Sequence, residues 1–337
     1  MASTTVGSSQ LYQSLALEHR DSIRLFRIHT DGDSQGKICG TLRVVSISDG
    51  PTYQALSYTW GSPSPQRADL SSKRTHEITC NGYTVLVTGN LAEFLRQYRT
   101  QPDQKELWID AICINQEDTT ERSAQIKIMA KRYESATNTL VWLGEADSST
   151  KMAFHIVSEL AERIRSNTGG QSTFEKSYQN HLASCPISGS HGSWEEGKAM
   201  LSLFQRFWFT RVWMIQEVVL AKEVRVHCGE HWLGWGKFVR VSRYLDLSTW
   251  KVRLQELGRS DPTLSSRSFQ SMPTVSEAIR RDKTFLHTLI RTRRYDASDQ
   301  GTTFILCSAS TKALQFLSYR TTGNPLNRYM LRQPLQY

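Results

Sequence analysis

The sequence lacks most of the features that mark secreted, membrane-spanning or cofactor-charged proteins. None of its six cysteines, at 39, 80, 113, 185, 228 and 307, forms a CxxC pair. That speaks against a disulfide scaffold and a zinc ribbon, and for free thiols in a reducing compartment, the cytoplasm. No stretch approaches the roughly 18 consecutive apolar residues of a membrane helix, so no integral membrane segment is expected. Residues 1–10 have neither a basic start nor an apolar run, so no secretory signal is expected. GxGxxG, Walker A and GxSxG are missing, which removes the usual dinucleotide, NTPase and α/β-hydrolase fingerprints, and no tightly bound cofactor is expected. His227-Cys228-Gly229-Glu230-His231 gathers potential ligands but has neither the HExxH spacing nor a second ligand pair, so no metal is expected. There is no internal repeat.

What is present fits a globular protein. The 337 residues are 39% hydrophobic and 22% charged, and nine Trp, twelve Tyr and twelve Phe can fill a sizeable core. Length suggests one large domain or two small ones. The formal net charge is +9, but residues 1–239 balance 25 Lys and Arg against 25 Asp and Glu. All of the excess sits beyond residue 239, where a solvated basic arm is the plainer reading and nucleic acid is not the expected partner.

Periodicity organises the chain. Ile23–Ile28 and Leu42–Ile47 alternate as strands, Tyr53–Trp60 is an aromatic β-favouring run, and Thr84–Val87 is a further strand. Residues 62–75 read as a loop. Asn90 is expected to cap a helix carrying Leu91, Phe94, Leu95 and Tyr98 on one face. Leu107–Ile112 reads as a buried strand. Asp118 with Glu121 forms a capping-box pattern opening a helix with Ile126, Met129, Ala130 and Tyr133 on one side, and Leu140–Leu143 follows as a strand. Strand, helix, strand in this order predicts a parallel α/β unit. Helices are expected over 152–164 and 235–247, a helix broken near Thr210 over 195–220, a strand over 224–228, and a helical stretch near 275–291. Residues 166–193 read as a long mobile insertion.

Three blocks embed polar residues in apolar surroundings, where a polar group needs a partner or a ligand. In the first, Leu56–Gly61, the hydroxyls of Ser57 and Thr59 lie on the opposite strand face from Tyr58 and Trp60. They face either a ligand crevice at a strand end or the next loop. In the second, Asp110, Asn115 and Gln116 form a polar cluster, with Arg122 either neutralising Asp110 or pairing locally; Cys113 reads as a buried thiol. In the third, Trp213, Gln216 and Glu217 share a helix face. Glu217 beside an indole and two valines is either a desolvated acid of raised pKa, suited to proton or oxocarbenium chemistry, or the partner of Arg211 or Arg206.

At these blocks the sequence resembles the heterokaryon-incompatibility (HET) domain family of filamentous fungi. The matching segments are YQALSYTWG (53–61), LWIDAICINQEDTTERSAQIKIMAKRYESA (107–136), LVWLG (140–144) and RFWFTRVWMIQEV (206–218). The resemblance implies a role in non-self recognition and regulated cell death. Its partners would be other incompatibility proteins or a second copy of itself. It also implies a distant likeness to the TIR domain, whose enzymes use a helical glutamate near a tryptophan to cleave the glycosidic bond of NAD. RVWMIQEV is similar to that pattern, with Trp213 followed by Glu217, and Ser57-Tyr58 resembles the Ser-Tyr that ends the first TIR strand.

The expected architecture is α/β. It has a mainly parallel, TIR- or flavodoxin-like sheet flanked by helices, added strands at the N-terminus and a helical C-terminal extension. Residues 1–22 are expected to be flexible, 23–247 to form the HET domain, 248–300 a basic helical extension, and 301–337 an unstructured or truncated tail. The last expectation follows from RTRRYDASDQ (291–300), which begins a phrase common after HET domains and is then abandoned. The candidate site is Glu217 as the catalytic acid, with Ser57, Trp60, Asp110, Asn115, Gln116, Arg122, Trp213 and Gln216 around it and NAD as a substrate. The rival reading is a non-enzymatic module that signals by oligomerisation.

Overall fold

A computed structural model describes residues 4–30, 37–167, 194–211, 214–247 and 250–261. The expectations for residues 168–193, for the 275–291 helix and for the 301–337 tail lie outside these.

The described chain builds one nine-stranded sheet in the order β5-β4-β2-β1-β6-β3-β7-β8-β9. Its strands are β1 (Ser22–Ile28), β2 (Cys39–Ser46), β3 (Gln54–Tyr58), β4 (His76–Cys80), β5 (Tyr83–Val87), β6 (Leu107–Trp108), β7 (Asn138–Trp142), β8 (Val224–Cys228) and β9 (His231–Gly234). The helices are α1 (Thr4–Ser14), α2 (Gly89–Tyr98), α3 (Asp110–Cys113), α4 (Thr119–Lys127), α5 (Met129–Ser135), α6 (Thr150–Asn167), α7 (Trp194–Phe204), α8 (Met214–Val219), α9 (Trp235–Leu247) and α10 (Trp250–Ser260).

The expected α/β class and the added N-terminal strands hold, but the sheet is mixed rather than mainly parallel. Parallel pairing runs through β6, β3, β7 and β8, and recurs between β2 and β4. β1 meets both its neighbours antiparallel, and the β4–β5 and β8–β9 hairpins close the two edges. Connection length explains the centre and the edges, since helical crossovers return the chain in parallel whereas short turns can only reverse it; β1 is reversed against β6 through a pairing distant in sequence, Phe26 with Leu107. The β4–β5 turn is Asn81-Gly82, both at positive φ (51° and 83°), the geometry a tight hairpin requires.

Central strands are buried on both faces. All five residues of β3 and of β7 are buried, as a sheet covered by helices on each side demands. Alternate β7 residues feed opposite cores. Val141 joins a cluster with α6, α7, α9 and α10, while Leu140 and Trp142 join the cluster of α1, α2, α3, β1 and β2. Two residues after β7 the chain turns at Gly144, whose φ of +100° and approach to Pro63 leave no room for a side chain.

Three local expectations are corrected. The helix after β5 is capped by Thr88, which accepts from the Leu91 amide; Asn90 instead spans the core, donating to the Thr59 carbonyl at 2.7 Å and accepting from the Trp142 indole at 2.9 Å. The 107–112 run is strand only through Trp108. At Ile109 the backbone turns into α3, and the Ile109 carbonyl accepts from the amides of Ile112 and Cys113. Asp118 caps α4 as expected, but Glu121 turns away to Arg24, and the helix breaks at Ile128, leaving Ile126 exposed.

Candidate functional site

The parallel centre sets the site. β6, β3 and β7 end on one edge of the sheet, where α/β proteins place their ligand crevices. Ser57, in register with Val141 of β7, lies one residue before the end of β3. Its hydroxyl donates to the Glu217 carboxylate across 160 positions of sequence and accepts from the Trp208 indole N–H at 2.6 Å. Glu217 sits on the short helix α8 and is only 3% exposed. The Tyr133 hydroxyl, donating to the Leu56 carbonyl at 3.3 Å, also faces Glu217.

Arg211 approaches the other Glu217 oxygen at 3.5 Å, a single contact at the long end of the ion-pair range, and its Nη1 has no hydrogen-bond partner. Arg206, the other candidate partner, is committed elsewhere: it binds Asp147 at 2.8 Å and the carbonyls of Leu143 and Glu145. Burial pushes the Glu217 pKa up from its usual 4.5, and Arg211 and the Ser57 hydrogen bond offset part of that rise. Both sequence readings of Glu217, desolvated acid and ion-pair partner, describe the same side chain.

Asp110 forms the second acid. It opens α3 directly after β6, accepts from the Trp60 indole at 3.0 Å and from the Ala111 amide at 2.7 Å, and faces the Tyr58 hydroxyl. That hydroxyl is buried without a well-formed hydrogen bond. Burial raises the Asp110 pKa, with the Trp60 hydrogen bond and Arg211 opposing. Burial also holds the phenols of Tyr58 and Tyr133 well above their usual range. Ser57, Asp110 and Glu217 therefore belong to one neighbourhood, bridged electrostatically by Arg211.

The remaining candidates fall nearby or outside. The Gln116 amide donates to the Asp110 carbonyl at 2.8 Å, and the Asn115 side chain accepts from the Glu117 amide at 3.2 Å. Arg122 is exposed and bonds the Gln116 carbonyl at 3.4 Å, so it pairs locally rather than neutralising Asp110. Trp213 lies outside the described residues, as does the Gln216 side chain. Burial lifts the Cys113 thiol to about 12, as an inert core cysteine requires. His227 stacks on Trp232 and His231 tilts against Phe154, and no group of metal ligands occurs among the described residues.

Trp208, Tyr58 and Tyr133 complete the site; Tyr58 enters the sequence reading through its strand face and the Ser-Tyr resemblance, and Trp208 and Tyr133 are not among the residues proposed there for the site. For Trp208 the signal was an indole beside a hydroxyl-rich strand end, visible only once β3 and the 207–210 turn are adjacent.

Fold and site together define an α/β protein with a buried acid–hydroxyl–indole cluster at the carboxyl edge of a parallel strand set inside a mixed sheet. Residues 53–217, just under half of the chain, match the family described as heterokaryon incompatibility protein (HET). The chain is 28% identical over 263 residues to heterokaryon incompatibility protein 6, OR allele, of Neurospora crassa, covering 67% of this chain and 36% of that protein. The chain thus spans about a third of the relative's length. No solved structure matches it. No helix among the described residues is long and apolar enough to cross a membrane.

Proposed function

We propose that this protein acts in fungal non-self recognition and regulated cell death in the cytoplasm. Its partners would be other incompatibility proteins or further copies of itself, and its HET domain would hydrolyse the glycosidic bond of NAD or a related nucleotide. The observation that supports this reading is the Ser57–Glu217 hydrogen bond, which seats a desolvated carboxyl at the edge of a parallel sheet.

Glu217 serves as the base. Burial raises its proton affinity, which suits it to take the proton of an attacking water and to stabilise positive charge developing on the ribose. The C–N bond breaks with its electron pair going to the nicotinamide nitrogen, the water oxygen bonds to the ribose carbon, and the proton passes to Glu217. Ser57, itself fixed by Trp208, holds the carboxyl in place. The test is release of nicotinamide from NAD by purified protein beside Glu217→Gln. The reading expects the variant to lose about 10²- to 10⁴-fold in rate. Equal, negligible turnover in both overturns it.

A second reading, a non-enzymatic oligomerisation module, is favoured by Trp194 and Trp232, which are 51% and 53% exposed. Mass measured across a concentration series tests it, and a strict monomer at all concentrations counts against it.

A further inference from the structure

Beside the acid cluster lies a crevice that no comparison assigns. It has a volume of about 430 Å³ and is lined by Trp60, Ser72, Lys73, Arg74, Asn115 and Gln116 among others. We propose that this crevice binds a nucleoside 5′-phosphate, its ring against Trp60 and its phosphate on Lys73 and Arg74.

The platform is fixed in advance. The Trp60 indole N–H is spent on Asp110 at 3.0 Å, which holds the plane of the ring. One face of that ring carries the Arg74 guanidinium, 5.6 Å from the centroid. A guanidinium over an indole is an arrangement that a flat heteroaromatic ring can share or replace, since both rings and guanidinium groups stack on aromatic faces.

The charge is available as well. Arg74 touches Glu117 at 3.5 Å, but that carboxylate is 70% exposed, so the pair is weak and readily exchanged for a phosphate. Lys73 is exposed and has no carboxylate partner among the described residues. Two cations against one acid leave the rim net positive, and a planar fork beside an ammonium suits a phosphate dianion. The Asn115 and Gln116 side chains add amide donors and acceptors along the wall. At the small end of the roughly 300–1,000 Å³ typical of ligand sites, the crevice takes one nucleotide rather than two.

Asp110 connects this crevice to the Glu217 cluster, accepting from the Trp60 indole and acting electrostatically on the Glu217 carboxyl. That the bound nucleotide is one half of the molecule cleaved at Glu217 rests on the function proposed above; the binding does not.

The experiment is calorimetric titration of the full chain with adenosine 5′-monophosphate and nicotinamide mononucleotide, with adenosine and inorganic phosphate as comparisons. At least one mononucleotide is expected to bind more tightly than adenosine or phosphate. Lys73→Ala/Arg74→Ala, both on an accessible loop, is expected to lower that affinity about tenfold or more, and Trp60→Leu by a similar factor. Glu217→Gln is expected to bind as the wild type does. Binding of neither mononucleotide, or unchanged binding by the double variant, overturns the proposal. NAD turnover with an unaltered KM in the double variant overturns the link between the crevice and the molecule cleaved, while sparing the hydrolysis. Mononucleotide binding that the double variant loses, in a protein without turnover, upholds the crevice and overturns the hydrolysis.

Discussion

Among the described residues, two arginine–glutamate pairs have one buried member each, Arg24 and Glu217, and they are built differently. Arg24 and Glu121 form a two-pronged contact at 2.6 and 3.0 Å. Arg24 also donates to the carbonyls of Leu15 and Cys113, and Glu121 accepts from the Asn115 amide. Every strong group there has a partner, so the pair ties α1, β1 and α4 into a finished joint. Arg211 and Glu217 meet through one contact at 3.5 Å, with one guanidinium nitrogen unmatched and an under-bonded Tyr58 hydroxyl near the Asp110 they both sense. Buried polar groups left short of partners cost stability. The first pair carries no such deficit, whereas the second does.

The largest expected effect sharpens the finished side of that contrast. Arg24→Leu strands Glu121 and is expected to cost about 3–5 kcal/mol, read as a fall in the urea midpoint. His227 supplies a third kind of burial, a titratable ring with no partner at Nε2, held down to about 4 by desolvation and by Arg225. Between about 4 and 6.5 the unfolded chain binds more protons than the folded one, so stability rises with pH across that window and is lost as pH falls through it. The loss is expected to reach on the order of 3 kcal/mol, and His227→Phe removes it from the pH profile. Arg211→Leu is expected to cost less, about 1–2 kcal/mol. Because Arg211 lowers the Glu217 pKa, that variant also moves the acidic limb of any activity profile to higher pH. Smallest is Arg43→Ala, which breaks the 2.5 Å contact to Glu106 on a half-exposed arginine and is expected to change stability by under about 1 kcal/mol.

How much of this was legible in the sequence depends on whether a signal is local. Strands β1, β2, β3, β7 and β8 announce themselves by alternation or apolar runs. The α4 cap is written in Asp118. The Asn81-Gly82 pair marks the β4–β5 hairpin plainly, yet β4 was passed over because HEITC alternates weakly and follows a long polar loop. Leu107–Ile112 reads as a longer strand than it is, because the backbone turn at Ile109 is driven by carbonyl hydrogen bonds rather than by composition. Asn90 looks like a cap because asparagine usually is one, and only tertiary contact with Thr59 and Trp142 explains its burial. The mixed character of the sheet was hidden because β1 joins the parallel set through β6, a pairing between residues 26 and 107. In the site, Ser57, Asp110 and Glu217 stood out as polar residues in apolar runs. The orientation of Trp208 and the division of labour between Arg206 and Arg211 depend on how distant segments pack, which spacing cannot supply.

The proposal that Glu217 is a reactive acid rather than half of a second finished ion pair is tested most directly by titrating that one carboxyl. An infrared difference spectrum between wild type and Glu217→Gln, recorded across pH, isolates its protonated C=O stretch. The account predicts a midpoint above the ordinary 4.5 of a glutamate, because burial outweighs the single long contact to Arg211. A midpoint at or below that value would contradict it and place Glu217 beside Glu121 as a structural anion.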